Sequence, residues 1–231
     1  MEVWTDKPVA IIGCGGLGAP AAWTLALAGA RRLRLIDPDV VELSNLHRQV
    51  LFAEADVAQP KVDVLAKRLK RRFDTLQIEV LRIAIDEFNV DEAISGCVGV
   101  FEGSDDAQCK FIVSDALVRA RHGTLLLPTT GVIAAAISRR TQWMTMTAQS
   151  ACYRCLFEEP PPAQSLATCE TAGVLGPVVG IGGAAAAASL IDAFLCTPSI
   201  HESVLVQRNR GQWRKTFVAR ATDCCCSSHF A

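Results

Sequence analysis

The sequence predicts an α/β fold, a Rossmann-like doubly wound and mostly parallel sheet with an antiparallel extension toward the C-terminus. Three observations predict it. Short, continuously apolar runs alternate with stretches of helical periodicity through roughly the first 130 residues, the pattern of βαβ units. A glycine cluster joins the first such run to the first helical stretch. Beyond that point β-type segments follow one another, as in an antiparallel sheet.

In chain order, Val9–Ile12 is a β-branched run that ends at the glycine cluster, and residues 20–27 then carry apolar side chains at helical spacing. Residues 33–36 form a second strand whose end delivers Asp37 and Asp39 into a loop, so strand, helix and strand make one parallel unit. A helix is expected over 62–73, a strand over 78–83, a short helix at Val90–Ile94, and a fourth strand over 99–101 that ends at Glu102-Gly103-Ser104-Asp105-Asp106. After Leu125-Leu126-Leu127 the β-type segments lie at 132–137, 143–147, 203–207 and 212–219, and the proline-bearing stretch 158–168 reads as a loop. The whole chain, 1–231, reads as one domain, with a nucleotide-binding part over 8–130 and a cysteine-rich antiparallel extension over 131–231.

With half of its 231 residues apolar and 20% charged, the chain has the material for one sizeable core and is not compositionally disordered. A formal net charge of −1 offers no global attraction to nucleic acid or to an anionic membrane. The run Lys67-Arg68-Leu69-Lys70-Arg71-Arg72 reads as a solvated helix face. The apolar stretch 174–195 is broken by glycines and a proline and contains Asp192, which favours a buried helix over a membrane span. No leader peptide is read at the N-terminus, and ten cysteines without one point to a reducing compartment, the cytoplasm, where clustered thiols serve as metal ligands or reactive groups.

Gly13-Cys14-Gly15-Gly16-Leu17-Gly18 satisfies G-x-G-x-x-G between a strand and a helix. There backbone N–H groups can face phosphate oxygens with no Cβ in the way. Asp37, nineteen residues after Gly18, stands where a carboxylate accepts hydrogen bonds from ribose hydroxyls. A nucleotide site follows, and to this point an NAD-dependent oxidoreductase fits as well as an ATP-using enzyme.

The following segment separates the two. Asp37-Pro38-Asp39-Val40-Val41-Glu42-Leu43-Ser44-Asn45-Leu46-His47-Arg48-Gln49 is succeeded by Gln59-Pro60-Lys61-Val62 and later by Gly103-Ser104-Asp105-Asp106. Over residues 8 to about 183 the chain resembles the ThiF/MoeB/HesA family, relatives of ubiquitin-activating enzymes. The resemblance implies ATP-dependent adenylation of the C-terminal carboxylate of a small ubiquitin-like sulfur-carrier protein ending in Gly-Gly. It implies Mg²⁺ as cofactor, a sulfur donor that receives the activated acyl group, and a homodimer. Arg48 and Lys61 then supply cations for the phosphates, arginine by forked contact and lysine as a point charge. Asp105 resembles the aspartate that helps hold Mg²⁺, with Asp106 beside it, and Asn45 and Gln49 lie near the triphosphate. Relatives usually carry an arginine ahead of the first strand that reaches the neighbouring subunit's ATP site; the first arginine here is Arg31. Either another cation completes the site, adenylation is slower, or a partner supplies the charge.

Cys152-Tyr153-Arg154-Cys155 has the spacing of half a tetrahedral Zn²⁺ site. Relatives complete it with a second C-x-x-C, whereas this chain offers Cys224-Cys225-Cys226-Ser227-Ser228-His229, in which Cys224 pairs with Cys226 or with His229 as the remaining ligands. Cys169 lies in a segment that resembles the one holding a reactive cysteine in relatives that form an acyl or persulfide link. Cys14, Cys97, Cys109 and Cys196 read as small core residues. Three rivals to the carrier-protein reading remain, an ATP-dependent tRNA-modifying enzyme, a nucleotide-binding scaffold without catalysis and an NAD-dependent oxidoreductase.

Overall fold

A computed structural model describes residues 6–122, 128, 130–161, 173–195 and 203–227. Residues 125–127, 162–172 (with Cys169), Cys196 and His229, on which some of the expectations fall, lie outside the described residues.

One eight-stranded sheet organises the chain. Its strands are β1 (Val9–Ile12), β2 (Arg32–Ile36), β3 (Gln77–Leu81), β4 (Gly99–Glu102), β5 (Gly131–Ile137), β6 (Arg140–Met146), β7 (Ser203–Asn209) and β8 (Gln212–Val218), in the spatial order β3-β2-β1-β4-β5-β6-β7-β8. β1 to β5 pair in parallel and β5 to β8 antiparallel. The order reverses between β1 and β4, the kind of point at which doubly wound sheets bind ligands beyond the carboxyl ends of their strands.

Five helices are described: α1 (Gly18–Leu27), α2 (Lys61–Arg72), α3 (Val90–Ile94), α4 (Ala107–His122) and α5 (Gly176–Leu195). The apolar face of α2 buries Val62, Val64, Leu65 and Leu69 and leaves Lys67, Lys70, Arg71 and Arg72 exposed, as its charge pattern predicts. The third strand ends at Leu81, two residues before the expected limit; Arg82 turns away from the sheet to pair with Asp63. α4 has no counterpart among the sequence expectations. Its buried Cys109, Phe111, Val113, Ala116, Leu117, Val118 and Ala120 surround it on more than one face, so its apolar positions carry little of the one-sided 3.6-residue signal.

β1, buried along its length, divides two apolar clusters. Ile11 on one face packs with Leu25, Leu33 and Leu65, and Ala10 and Ile12 on the other with Ile94, Val100 and Leu117. α5 is apolar and long enough to cross a membrane by length and composition, yet it packs on α1, β5 and β6 with Val178, Val179, Ala186, Ala187 and Leu190 buried. Its close approach depends on two glycines. A Cβ at Gly183 would lie 2.1 Å from the Leu17 carbonyl oxygen, and one at Gly182 would lie 2.2 Å from Thr141 Oγ1.

Candidate functional site

A cavity of about 830 Å³ opens at the carboxyl ends of the parallel strands. Its floor is the glycine turn. Gly13 adopts φ +79°, and a Cβ there would fall 2.6 Å from the Ser104 backbone nitrogen, so the loops after β1 and β4 touch through a position that only glycine fills comfortably. The turn is pinned from the side by Asp37, whose two carboxylate oxygens accept the Cys14 N–H at 2.6 Å and the Asp39 N–H at 2.8 Å. Burial pushes the Asp37 carboxyl up from its ordinary pKa, against the opposing pull of Lys61 and of those two N–H groups.

The loop after β2 is tied to the start of α2. Val41 N–H donates to the Gln59 carbonyl at 2.8 Å and Lys61 N–H to the Asp39 carbonyl at 2.9 Å, with a bridge between Val40 and Pro60. This explains the fixed separation of the Asp-x-Asp and Gln-Pro-Lys strings. It places the Lys61 ammonium 2.7 Å from Asp39 Oδ2. Burial opposes the Lys61 charge, yet its pKa is raised by Asp37, by the hydrogen bond and charge of Asp39, and by Asp105. Lys61 is therefore a firmly protonated ammonium among three carboxylates on the cavity wall.

Residues 47–48 are wedged between the glycine turn and α5. Cβ atoms built at Gly16 and Gly176 would meet the Arg48 and His47 carbonyl oxygens at 3.1 and 2.3 Å, and this contact brings Arg48 to the cavity. Gln49 is buried beside Gly15, and its Oε1 has no hydrogen-bond partner. A buried acceptor left open at a cavity wall suits a ligand donor such as a hydroxyl or an amino group.

Gly13, Gly15, Gly16, Leu17, Asp37, Asp39, Asn45, Arg48, Gln49, Lys61, Asp105 and Asp106 all line this one cavity. Gly18, Ser44 and Leu46 do not line it. A Cβ on Gly18 would lie 1.7 Å from the Gly13 carbonyl oxygen, so this glycine closes the turn. The Ser44 hydroxyl turns to Glu42, and Leu46 packs against the core. Asp106 reaches the cavity while its Oδ1 accepts the Gln108 N–H at 2.8 Å at the start of α4.

Sequence reasoning missed a buried ion pair beneath the Asp105 loop. Lys110 Nζ donates to Glu102 Oε2 at 2.7 Å, to the Ser104 carbonyl at 2.7 Å and to the Ala134 carbonyl at 2.8 Å. Glu102 in turn accepts from the Ser104 N–H at 2.8 Å and from its hydroxyl. Burial raises the Glu102 pKa, against Lys110 and Ser104. The available signal was an acid ending a strand eight residues before a lysine in an apolar helix. Also missed was the far wall. β5 pairs with β4 only over residues 131–133, then overhangs the parallel sheet and returns as β6, so Ala135, Ala136, Ile137, Arg140, Thr141 and Gln142 extend the cavity beyond the nucleotide-type floor.

A second cluster lies among the C-terminal segments. The sulfurs of Cys152, Cys155, Cys224 and Cys226 all lie within 4.8 Å of one another, with Cys152–Cys224 at 3.4 Å, Cys155–Cys226 at 3.3 Å and Cys152–Cys155 at 3.9 Å. A tetrahedral Zn–S₄ centre with bonds of about 2.3 Å has sulfur–sulfur edges of about 3.8 Å, so the donor set fits a soft divalent ion. Of the two ligand pairs left open by the sequence, the structure brings in Cys224 with Cys226; the Ser227 hydroxyl is turned to the Ala221 carbonyl. Burial raises the pKa of Cys152 and Cys155 and opposes ionisation of Cys226, but hydrogen bonds from the Cys152 backbone and from the Cys155, Cys152 and Cys224 thiols bring Cys226 to about 7. Cys14, Cys97 and Cys109 are buried with raised pKa values, desolvation being the main cause. These three are core residues, as expected.

With the geometry established, similarity to known proteins adds to it. The profile described as "ThiF family" matches residues 1–227. The chain is 35% identical over 223 residues to the sulfur carrier protein ThiS adenylyltransferase of Escherichia coli (strain K12), covering 95% of this chain and 85% of that protein. It is 38% identical over 177 residues to the adenylyltransferase and sulfurtransferase MOCS3 of Danio rerio, covering 76% of this chain. The matched part is 37% of that relative's length, so the chain spans less than half of the MOCS3 relatives it matches. Among solved structures, Escherichia coli MccB with MccA-N7isoASN superposes with a TM-score of 0.79 at 20% identity, covering 96% of this chain and 67% of that one, a likeness of fold.

Proposed function

The chain belongs to the ThiF family, and on that premise we propose that it adenylates the C-terminal carboxylate of a small ubiquitin-like sulfur-carrier protein at the expense of ATP. The observation that carries the reading is the single cavity in which the glycine-turn amides, Arg48, Lys61 and Asp105 converge at the carboxyl ends of parallel strands. The relatives whose names specify an adenylyltransferase support it.

In the reaction a carboxylate oxygen forms a bond to the α-phosphorus and the bond to the β-phosphate oxygen breaks, releasing pyrophosphate. Negative charge grows on the leaving group, and fixed cations in a site shielded from water stabilise it. Lys61, held protonated, and Arg48, presented by the wedge at residues 47–48, are those cations in this reading. Asp37 receives the ribose, and the open Gln49 Oε1 accepts from the nucleoside. Asp105 offers a carboxylate for Mg²⁺, which shields the phosphate oxygens when bound. Arg140 adds a cation at the overhanging hairpin and is our candidate to replace the arginine that relatives carry ahead of the first strand. The extended cavity beside it would receive a slender Gly-Gly tail. The four-thiol cluster holds a structural Zn²⁺ in this reading, which fits a reducing, cytoplasmic setting. Transfer of the acyl group to a sulfur donor, with or without Cys169, and a homodimeric assembly complete the proposal.

ATP–pyrophosphate exchange tests it. Exchange that depends on a carrier protein ending in Gly-Gly is the expected result. Exchange with tRNA instead would move the assignment to an RNA-modifying enzyme, and nucleotide binding without exchange under either condition would leave a scaffold. A structure with ATP and Mg²⁺ in which Arg48 and Lys61 face away from the phosphates would remove the basis of the proposal.

A further inference from the structure

Among the described residues, two guanidiniums near the cysteine cluster have no carboxylate to answer them. Arg121, at the end of α4, donates from Nη1 to the Ser150 carbonyl at 2.9 Å, and Arg220, just after β8, donates from Nε to the same oxygen at 3.1 Å. Arg220 is exposed and reaches the Ala148 carbonyl with Nη2 at 3.1 Å. Arg121 is more constrained: its Nε and Nη2 are buried and, among the described residues, without a partner. Among the described residues neither arginine forms an ion pair. Two like charges sharing one acceptor, one of them with stranded donors, is a costly arrangement unless negative charge lies close by.

The neighbouring groups of that sign are thiols. Burial disfavours the Arg121 charge and Arg220 repels it, whereas Cys226, Cys152 and Cys155 attract it in their ionised form. Four thiolates around one divalent ion retain two negative charges, and two guanidiniums balance them. The third arginine in the region is already neutralised, because Arg154, inside the C-x-x-C turn, is held by Asp115 through two bonds at 2.8 and 2.9 Å. The shared acceptor also lies on the ligand segment itself, since Ser150 stands two residues before Cys152.

We propose that Arg121, backed by Arg220, is the counter-charge of a metal–tetrathiolate centre at Cys152, Cys155, Cys224 and Cys226, a positioning residue that sets how tightly the four thiolates hold a divalent ion. The proposal rests on the reading of those four cysteines as a metal site. It is independent of the chemistry assigned to the nucleotide cavity.

The test compares the full chain with Arg121→Met, Arg121→Lys and Arg220→Met by zinc content and by competition with a chromogenic chelator, with circular dichroism reporting the fold. Arg121→Met is expected to weaken zinc binding by about 10- to 100-fold, the usual scale for outer-shell partners, with the fold retained in excess zinc. Arg121→Lys, which keeps the charge, is expected to recover most of the affinity. In Co²⁺-loaded protein the thiolate charge-transfer band should shift in Arg121→Met and stay near its original position in Arg121→Lys, which a merely structural role for the side chain would not produce. Zinc held as tightly by Arg121→Met as by the parent chain overturns the proposal. Should Arg121→Met not fold, equal zinc affinity in Arg121→Lys and Arg220→Met overturns it instead. A parent chain that binds no zinc at all removes the metal reading and this proposal together, while tight zinc binding unaffected by the substitutions removes this proposal alone.

Discussion

α4 links two sites built on different principles. Its first turn follows the Asp105 loop at the nucleotide-type cavity, and Arg121 in the last turn of this helix, about 24 Å long, lies beside the cysteine cluster. At the first end the site is made largely of backbone: amides of a glycine turn, fixed by Asp37 through two N–H groups. At the second it is made of side chains, with sulfurs meeting across 71 and 72 residues of chain. The difference teaches that the first end is organised before any ligand arrives, whereas the second, a group of buried and half-buried thiols with two unanswered arginines, is organised around a charge it has to hold.

That contrast can be broken most sharply at Asp105. Under the proposed function, Asp105→Ala should lower carrier-dependent ATP–pyrophosphate exchange by about 10²- to 10³-fold, the scale for loss of one transition-state electrostatic contact, with an unchanged melting temperature because the residue is exposed. A parallel fall in stability would show that the loop is structural instead. At the other end the signature should invert. Cys152→Ser is expected to lower the melting temperature by roughly 10 °C, about 3–5 kcal/mol for a chain of this size. Stability indifferent to both the substitution and a zinc chelator would mean that the cluster holds nothing.

Gly13→Ala tests whether the first end depends on backbone as firmly as its geometry says. With φ at +79° and a Cβ 2.6 Å from the Ser104 nitrogen, a cost of about 1–3 kcal/mol is expected in denaturant unfolding; an unshifted midpoint would show that the two loops separate easily. A smaller effect concerns Asp37. Because burial raises its pKa in the folded state, the folded protein binds the proton more tightly than the unfolded chain. Its contribution to stability is therefore full below the ordinary carboxylate pKa and is lost as pH rises through the raised value. Relative to the parent, Asp37→Asn should gain stability across that acid window, read from unfolding curves at a series of pH values. A gap that widens in the parent's favour as pH rises would refute the assignment. Smallest of all, Gln207→Ala on β7, which removes a 3.0 Å bond to Gln142 at the far wall of the cavity, should cost about 1 kcal/mol and leave zinc binding alone.

Legibility followed the same division. The glycine turn, Asp37, Asn45, Arg48, Lys61 and Asp105 could be read because each is held by contacts local in sequence or by a spacing the loop itself enforces, as the Asp39–Lys61 and Val41–Gln59 hydrogen bonds show. Within the same motif Ser44 turns to Glu42 and Leu46 packs against the core, and a string of letters does not say which side chains turn inward and which pack below. Glu102 and Lys110 stayed hidden because a buried ion pair leaves no periodic trace, and α4 because a helix buried on several faces looks the same from every side.

What the sequence determined by itself was the succession of strands and helices apart from α4, the glycine turn between β1 and α1 and the C-x-x-C half of the cysteine cluster, all of them consequences of short-range sterics and hydrogen bonding. Only the tertiary structure decided that Cys226 joins Cys224 in closing that site, that an overhanging hairpin lengthens the cavity, and that Arg121 and Arg220 share one carbonyl beside four sulfurs. Those outcomes depend on which distant segments come into contact and how their charges balance, and that is settled by packing in three dimensions.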